Sequence, residues 1–441
     1  MPHELPFDPA VSPLATAAAW MLARYDDGEL TPEQASDPRW VYPVENAERR
    51  CRSFGEFRRP ISKVLSYEEL DGYIARIGVL DDRGRRLMVR VLQHPNHPGR
   101  VWQTAMMLDP PGVSVREALV ADTEQLRALE LATPVQHDGF EVAYSRPDPF
   151  AQDRLRPRPV ARCVAVIDGQ VVGAHTDAMH QLILDDGPVE ILYRQQARVL
   201  PDAQGRGVMP AMNGFQAELI FRDGIDREVL GFIARGNEKI RAWTGRVDDA
   251  PRDTEWRVPI VRYTLDTSTL AAEPNDETRL ATAADEELVC RLLNAAHEHE
   301  VLWPGPAEGW LRARLGRSPT DYGWADLVVS EHAVVGMWDA GWETVRSVDG
   351  TPSHHRVATI LDWGFSLEHP RKLIAALQAT CSRAVAQGVT RLYAFAGPPP
   401  GGHTVLQDVA CDEEPFDLFA PDLPEPPRTA TDGIYVDPLY F

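Results

Sequence analysis

Residues 197–215 read ARVLPDAQGRGVMPAMNGF. A strand-like run ends at Pro201, a turn holding Gly205 and Gly207 follows, and a helix begins at once. At such a junction successive backbone N–H groups lack a helical partner. Glycine lets the main chain come close to a ligand, and the positive end of the helix dipole faces the same spot. The spacing predicts a pyrophosphate cradle. Two glycines in a strand–turn–helix also serve as a plain turn, so the flanking sequence decides between the two.

Outward from this stretch, VSVREALVADTEQLRALELA reads as a short strand, an N-cap at Asp122 and an amphipathic helix with Leu126, Leu129 and the positions around Leu131 on one face. ARCVAVIDGQVVGAHTDAM is a hairpin turning at Asp168-Gly169, with Cys163 in its core. VEILYRQQARVL is a long strand that leads into the loop. After the helix of 208–221 come a strand, VLGFIA, a helix, NEKIRAWTG, and a closing strand, WRVPIVRYTL. The polar, proline-containing DTSTLAAEPNDE marks a linker.

The same grammar then returns. TRLATAADEELVCRLLNAAHE is strand and helix, ADLVVSEHAVVGMWDAG a hairpin turning near Glu331-His332, HRVATILDWGFS a long strand, LIAALQATCSRAVAQG a helix and RLYAFAG a strand. Residues 113–264 and 277–441 thus read as two copies of one α/β unit. The second copy has Pro370 at its helix start and no Gly-x-Gly, so no cradle is expected there. It is expected to pack on the first copy and shape its acceptor pocket. Upstream, LATAAAWMLARY recurs in Leu14, Ala18 and Leu22 at helical spacing. The strand-like YIARIGVL, RRLMVRVLQ and VWQTAMML follow, joined by turn signals. One helix and a meander make a small α+β domain, which resembles a cystatin-like or nuclear-transport-factor-like domain in outline only. His94 and His97, beside Pro95 and Pro98, read as a hairpin loop rather than a metal site.

Composition sets the outer limits. Acidic residues outnumber basic ones 66 to 45, a net charge of −21, which disfavours phosphodiester backbones; it serves solubility first and can also draw in cationic small molecules. No apolar run approaches the roughly 18–20 residues of a membrane span. MPHELPFDPAVSPLATAAAW has no basic n-region, so no signal peptide is expected. The five cysteines are scattered and form no CxxC, which fits a reducing cytoplasm and neither disulfides nor a cysteine-rich zinc site. In HEHE, His297 and His299 fall on different faces of a helix, so no metal is read there.

V-x-P-x-x-Q-G-R-G-V resembles the acyl-coenzyme A signature Q/R-x-x-G-x-G/A of the GNAT acetyltransferase superfamily, with Gln204, Gly207 and Met209 at its positions. Met209 departs from the usual Gly or Ala. The R-G-V-M variant is similar to that of the enhanced-intracellular-survival branch. The order of elements over 113–264 matches as well. The resemblance implies an α/β fold with mixed sheets: a small α+β domain (1–111), a GNAT domain with the acetyl-CoA site (112–264), a linker (265–276) and a degenerate GNAT-like domain (277–441).

The resemblance also implies acetyl-CoA as cosubstrate and no metal. The N–H groups of Gln204, Gly205, Arg206, Gly207, Val208 and Met209 would hold its pyrophosphate. Val199 and Leu200 would align the pantetheine, with Asn237 near it. The Tyr that usually protonates the leaving thiolate is replaced by Thr244, with Trp243 beside it. An amine attacks the thioester carbonyl and a base removes its proton. The base candidates are Glu190 and Tyr193 on the long strand, and His175, Asp177 and His180, which follow the preceding strand. In that branch a chain-end carboxylate can enter the acceptor site, here that of Phe441 after Tyr440. The implied function is acetyl transfer to a small-molecule amine, a cationic one matching the acidic surface. The partners exclude nucleic acid and membrane and leave a homo-oligomer open. The alternative is a non-catalytic acyl-CoA-binding sensor or scaffold, which the missing Tyr favours.

Overall fold

The computed structural model describes residues 4–27, 60–70, 72–93, 98–137, 139–156, 161–184, 187–222, 229–234, 237, 256–272, 277–300, 303, 307–397, 402–420 and 436. It is a mixed α/β protein whose chain divides into two units.

The first unit comprises Met1–Ala118, Cys163–Ala174 and Val199–Asp226. Strands β1 (Ile61–Leu70), β2 (Ile74–Asp81), β3 (Arg86–Gln93) and β4 (Val101–Leu108) form an antiparallel meander in that order. Alternation puts Ala75, Ile77, Val79, Val89 and Val91 on one face, where Leu14, Ala18, Met21 and Leu22 of α1 (Pro13–Asp27) cover them. The opposite face carries Arg76 and Arg90. A second core joins β5 (Ser114–Glu117), paired antiparallel with β8 (Ala161–Ile167), to a later helix; it contains Cys163, Ala165, Ile167, Val172, Val208 and Met212. Asp168 and Gly169, at φ 50° and 79°, make the tight turn from β8 to β9 (Gln170–Leu184), as the Asp-Gly pair predicts.

The second unit comprises Leu119–Arg162, His175–Arg198 and Arg227–Phe441. It begins with α2 (Thr123–Ala132), the hairpin β6 (Val135–His137) and β7 (Phe140–Ser145), and α3 (Ala151–Leu155). Its sheet strands are β10 (Gly187–Val199), β11 (Val229–Ala234), β12 (Trp256–Asp266), β13 (Arg279–Leu280), β14 (Leu327–Val329), β15 (Ala333–Val348), β16 (Thr351–Phe365), β17 (Arg391–Ala396) and β18 (Asp412–Ala420). They run in the order β13-β14-β15-β16-β17-β12-β18-β11-β10. One face is packed by α3 and by helices over Glu286–His297 and Ala307–Arg317. The other is packed by helices over Lys372–Ala386 and Gly402–Val409.

The sheet exchanges strands. β12, the last strand of the first copy, pairs with β17 of the second, while β18, the last of the second, pairs with β11 of the first. The two exchanged strands pair with each other between them. The sequence reading had the first copy closed by β12 as its own last strand.

Local expectations shift in three places. Asp122 does precede α2, but its carboxylate accepts from the N–H of Leu119, 2.8 Å away, and so closes the turn before the helix rather than capping it. Leu131 is exposed, and Glu130 is the buried neighbour, paired with Arg146. Inside the expected linker, Thr267–Leu270 is a short helix with Thr267 buried, capped by Asp266, which accepts from Thr269 N at 2.9 Å. Among the described residues no helix is long and apolar enough to cross a membrane.

Candidate functional site

In the first unit, the chain leaves β10 through Leu200, whose N–H donates to Val172 O at 2.8 Å. Pro201–Ala203 make one tight turn, and α4 runs over Val208–Arg222. The N–H groups of Ala203, Gln204 and Arg206 are spent on Leu200, Pro201 and Ala203 carbonyls. Those of Gly205, Gly207, Val208 and Met209 have no backbone acceptor among the described residues. Gly205 and Gly207 sit at φ +75° and +79°, the left-handed region that turns the chain into the helix. Gln204, Gly205 and Arg206 are exposed, whereas the Val208 side chain is buried and Met209 packs beside it. The last two residues therefore leave their main-chain N–H groups open and put their side chains in the core. This accommodates Met where the signature has a smaller residue.

The two glycines differ in surroundings. Nothing lies within 4 Å of a Cβ built on Gly205, so the space for a ligand is there. At Gly207 that Cβ would meet Leu108 and Pro110 at 3.4 Å. Gly207 is thus needed for its dihedral and for packing against the end of β4, not to open room for a ligand.

In the second unit, β10 and β11 run parallel and pair through Leu192–Val229, Tyr193–Leu230 and Arg194–Gly231. There the ladder ends, although both strands continue; the remainder of β11 pairs with β18. Just past the parting, Gln196 takes φ +54°, a left-handed residue within β10. Between the last pair and Gln196 stands Gln195, 9% exposed, with neither amide atom hydrogen-bonded. A buried amide without partners costs free energy of roughly 1–3 kcal/mol, which a ligand's amide in the gap would recover.

The base candidates are placed as follows. Tyr193 is buried in the same apolar cluster as Val436. Asp177 is fully buried, 3.2 Å from Arg194 Nε and 3.3 Å from His175 Nε2. Burial pushes its carboxyl up, but Arg194 and His175 outweigh this and hold it below the usual range. It is an ion-pair anchor and a weak base. Glu190 and His180 lie on β10 and β9 with side chains outside the described residues, as do Trp243, Thr244, Tyr440 and Phe441 altogether. Asn237 is half-buried, and the helix expected after it lies outside the described residues, as do His94 and His97. His297 is a core histidine, its ring bonded to Glu300 at 2.6 Å and to Trp363 O at 2.7 Å. No group of three or more His, Cys, Asp or Glu placed to hold a metal occurs among the described residues.

Sequence reasoning missed a cavity of about 450 Å³ in the second unit, walled by Thr264, Arg346, Arg391, Tyr393, Asp412 and Glu414 among others. Its charges are paired: Arg346 with Asp412, Arg391 with Asp266, Glu414 with Arg262. The wall is therefore close to neutral. Six strands contribute to it, brought together by the strand exchange, and no local motif marks them.

No protein-family model matches the sequence, and no curated protein matches it. Solved structures do. N-myristoyltransferase of Saccharomyces cerevisiae, solved with bound myristoyl-CoA, superposes with a TM-score of 0.50 at 10% identity over 74% of this chain and 90% of that one. The fold is the one N-myristoyltransferase has. The chain is also similar, with TM-scores of 0.43, to a tandem GNAT protein from the clavulanic acid biosynthesis pathway (15% identity, 70% of this chain, 98% of that one). The third is a GCN5-related N-acetyltransferase of Sphaerobacter thermophilus (12% identity, 70% and 96%).

The corresponding stretch of the second copy differs in its backbone hydrogen bonds. At the start of its helix over Lys372–Ala386, the N–H groups of His369, Lys372, Leu373 and Ile374 are all taken by carbonyls three residues back, at 2.8–3.1 Å. The donors that the first copy leaves open are spent here on tight turns.

Proposed function

We propose that the chain is an N-acyltransferase of the GNAT type, moving an acetyl group from acetyl-CoA to an amine of a small molecule. The observation that carries this reading is the set of open N–H groups on Gly205, Gly207, Val208 and Met209 at the start of α4. A pyrophosphate satisfies all of them and meets the positive end of the helix dipole. Val199, Leu200 and Asn237 would complete the binding of acetyl-CoA.

The reaction needs an unprotonated amine to attack the thioester carbonyl and a base to take its proton. Glu190 and Tyr193 are the candidates on β10, with the chain-end carboxylate of Phe441 as a third. Thr244, where the family has Tyr, is a poor acid, so the thiolate leaves with little help. The acidic surface fits an amine acceptor that carries positive charge.

The test is calorimetry with acetyl-CoA, followed by thiol release across a panel of amines and amino acids. Failure to bind acetyl-CoA overturns the reading. Binding without turnover on any amine decides for an acyl-CoA sensor instead.

A further inference from the structure

Arg76 on β2 and Arg90 on β3 are direct cross-strand neighbours. Like charges so placed repel, and both point away from the face that α1 covers. The charge that reconciles them comes from α4. Glu218 accepts from Arg76 Nε at 2.9 Å and from Arg90 Nε at 2.5 Å, and Arg76 Nη2 makes a further bond to it. Its carboxylate is only 5% exposed and Arg90 10%. One turn earlier on the helix, Gly214 lets the Arg90 guanidinium lie flat, since any Cβ there would overlap it. Gly207, two turns before Gly214, rests on Leu108 and Pro110. Gly207, Gly214 and Glu218 follow helical spacing, so one face of α4 is fixed to the sheet along its length.

We propose that Glu218, Arg76 and Arg90 are positioning residues for the phosphate loop, and that the β1–β4 sheet thereby forms part of the acyl-CoA site. The role assigned to the loop rests on the function proposed above. The physical reasoning stands on the sheet itself. An opposed arginine pair is unfavourable alone and becomes favourable only when an anion enters between them. The sheet is thus built to receive this carboxylate in one register. A guanidinium binding a carboxylate by two nitrogens fixes direction as well as distance. The helix whose first N–H groups hold the ligand is then locked in rotation and translation. The other face of α4 packs on Cys163, Ala165 and Ile167, so the helix is clamped from two sides. This accounts for its apolar character all round.

The experiment uses the full chain with Glu218→Gln and with the apolar triple variant Arg76→Met, Arg90→Met, Glu218→Leu. Removing one partner of a buried ion group can unfold a protein, whereas replacing the whole group by apolar residues often does not; the triple variant therefore decides if the single one fails to fold. Three quantities are read: the Kd for coenzyme A by calorimetry, hydrogen exchange without ligand at Ala211, whose N–H is bonded to Gly207 O, and acceptor KM at saturating acetyl-CoA. The expected result is a Kd raised about tenfold and faster exchange at Ala211, with acceptor KM unchanged, in every variant that melts as wild type does. Wild-type Kd and wild-type exchange in either folded variant overturn the proposal. If the wild-type chain itself does not bind coenzyme A, the functional reading falls, and the exchange measurement alone decides whether these residues order the loop.

Discussion

Gly207 rests against Pro110: a Cβ on the glycine would stand 3.4 Å from the proline's Cβ and Cγ. Its φ of +79° adds a second constraint, since an L-residue there costs about 1–2 kcal/mol. The two glycines of the loop should therefore respond differently to substitution. Gly205→Ala, at φ +75° with open space around it, should lose about 1 kcal/mol. Gly207→Val should lose clearly more, because its branches run into Leu108 and Pro110. Thermal or denaturant melts of both variants check this. Equal losses would show that the contact with β4 is irrelevant.

His137 gives the stability a pH dependence. Its ring stacks on Phe140 at a centroid distance of 4.6 Å and lies 3.8 Å from Glu414. Burial pushes its pKa down to about 4; Glu414 opposes this, and Arg262 and Arg346 add to it. The unfolded chain takes up the proton near pH 6.5 and the folded one near 4. Stability is therefore whole above about 6.5 and falls as the pH drops from there to about 4, by at most about 3 kcal/mol. His137→Phe should flatten that limb. A smaller slope should remain from His355, whose pKa burial, Arg391 and Arg346 also lower. Denaturant midpoints between pH 4 and 7 for both proteins are the measurement, and an unchanged slope would refute the assignment.

What could be read beforehand was local. The loop of 200–209, the Asp168-Gly169 turn and the β2–β4 meander all carry their signal within a few residues. The strand exchange does not. β12 and β17 meet across a separation such as the 125 residues between Asp266 and Arg391, and either copy's last strand has the same apolar pattern. The cavity is a product of that pairing and was hidden with it. The role of Glu218 was missed for another reason. An acid in an otherwise apolar helix signals a buried cation, but its partners stand on two strands far upstream, and only register makes Arg76 and Arg90 neighbours.

Val436 is 5% exposed and belongs to the cluster that holds Tyr193 and Phe416. A tail residue buried this way contributes to the fold. Val436→Ala should cost about 1–3 kcal/mol through lost burial and a residual cavity. An exposed tail position would stay within about 0.5 kcal/mol. Urea denaturation separates the two, and a loss under that limit would mean that the segment does not dock. On the proposed reading, with the loop of the first unit holding acetyl-CoA, the affinity for it should change little in the folded variant.

The last prediction is the stoichiometry of one coenzyme A per chain. Both copies place a helix after a long strand, so topology alone would allow two. The difference lies in the donors. Before α4, the N–H groups of Gly205, Gly207, Val208 and Met209 have no backbone acceptor, and two residues with positive φ hold the main chain open. Before the helix over Lys372–Ala386, the donors of His369, Lys372, Leu373 and Ile374 are already bonded to Ser366, His369, Pro370 and Arg371. A phosphate there would have to break these bonds before it gained any, and Pro370 supplies no N–H at all. Charge does not compensate, because the chain carries a net −21 and repels a polyanion unless local donors hold it. Calorimetry should give a ratio near one, and Gly205→Ala should weaken that single isotherm without exposing a second. A ratio near two would require the turn at Ser366–Arg371 to open on binding, and would refute the distinction drawn between the two copies.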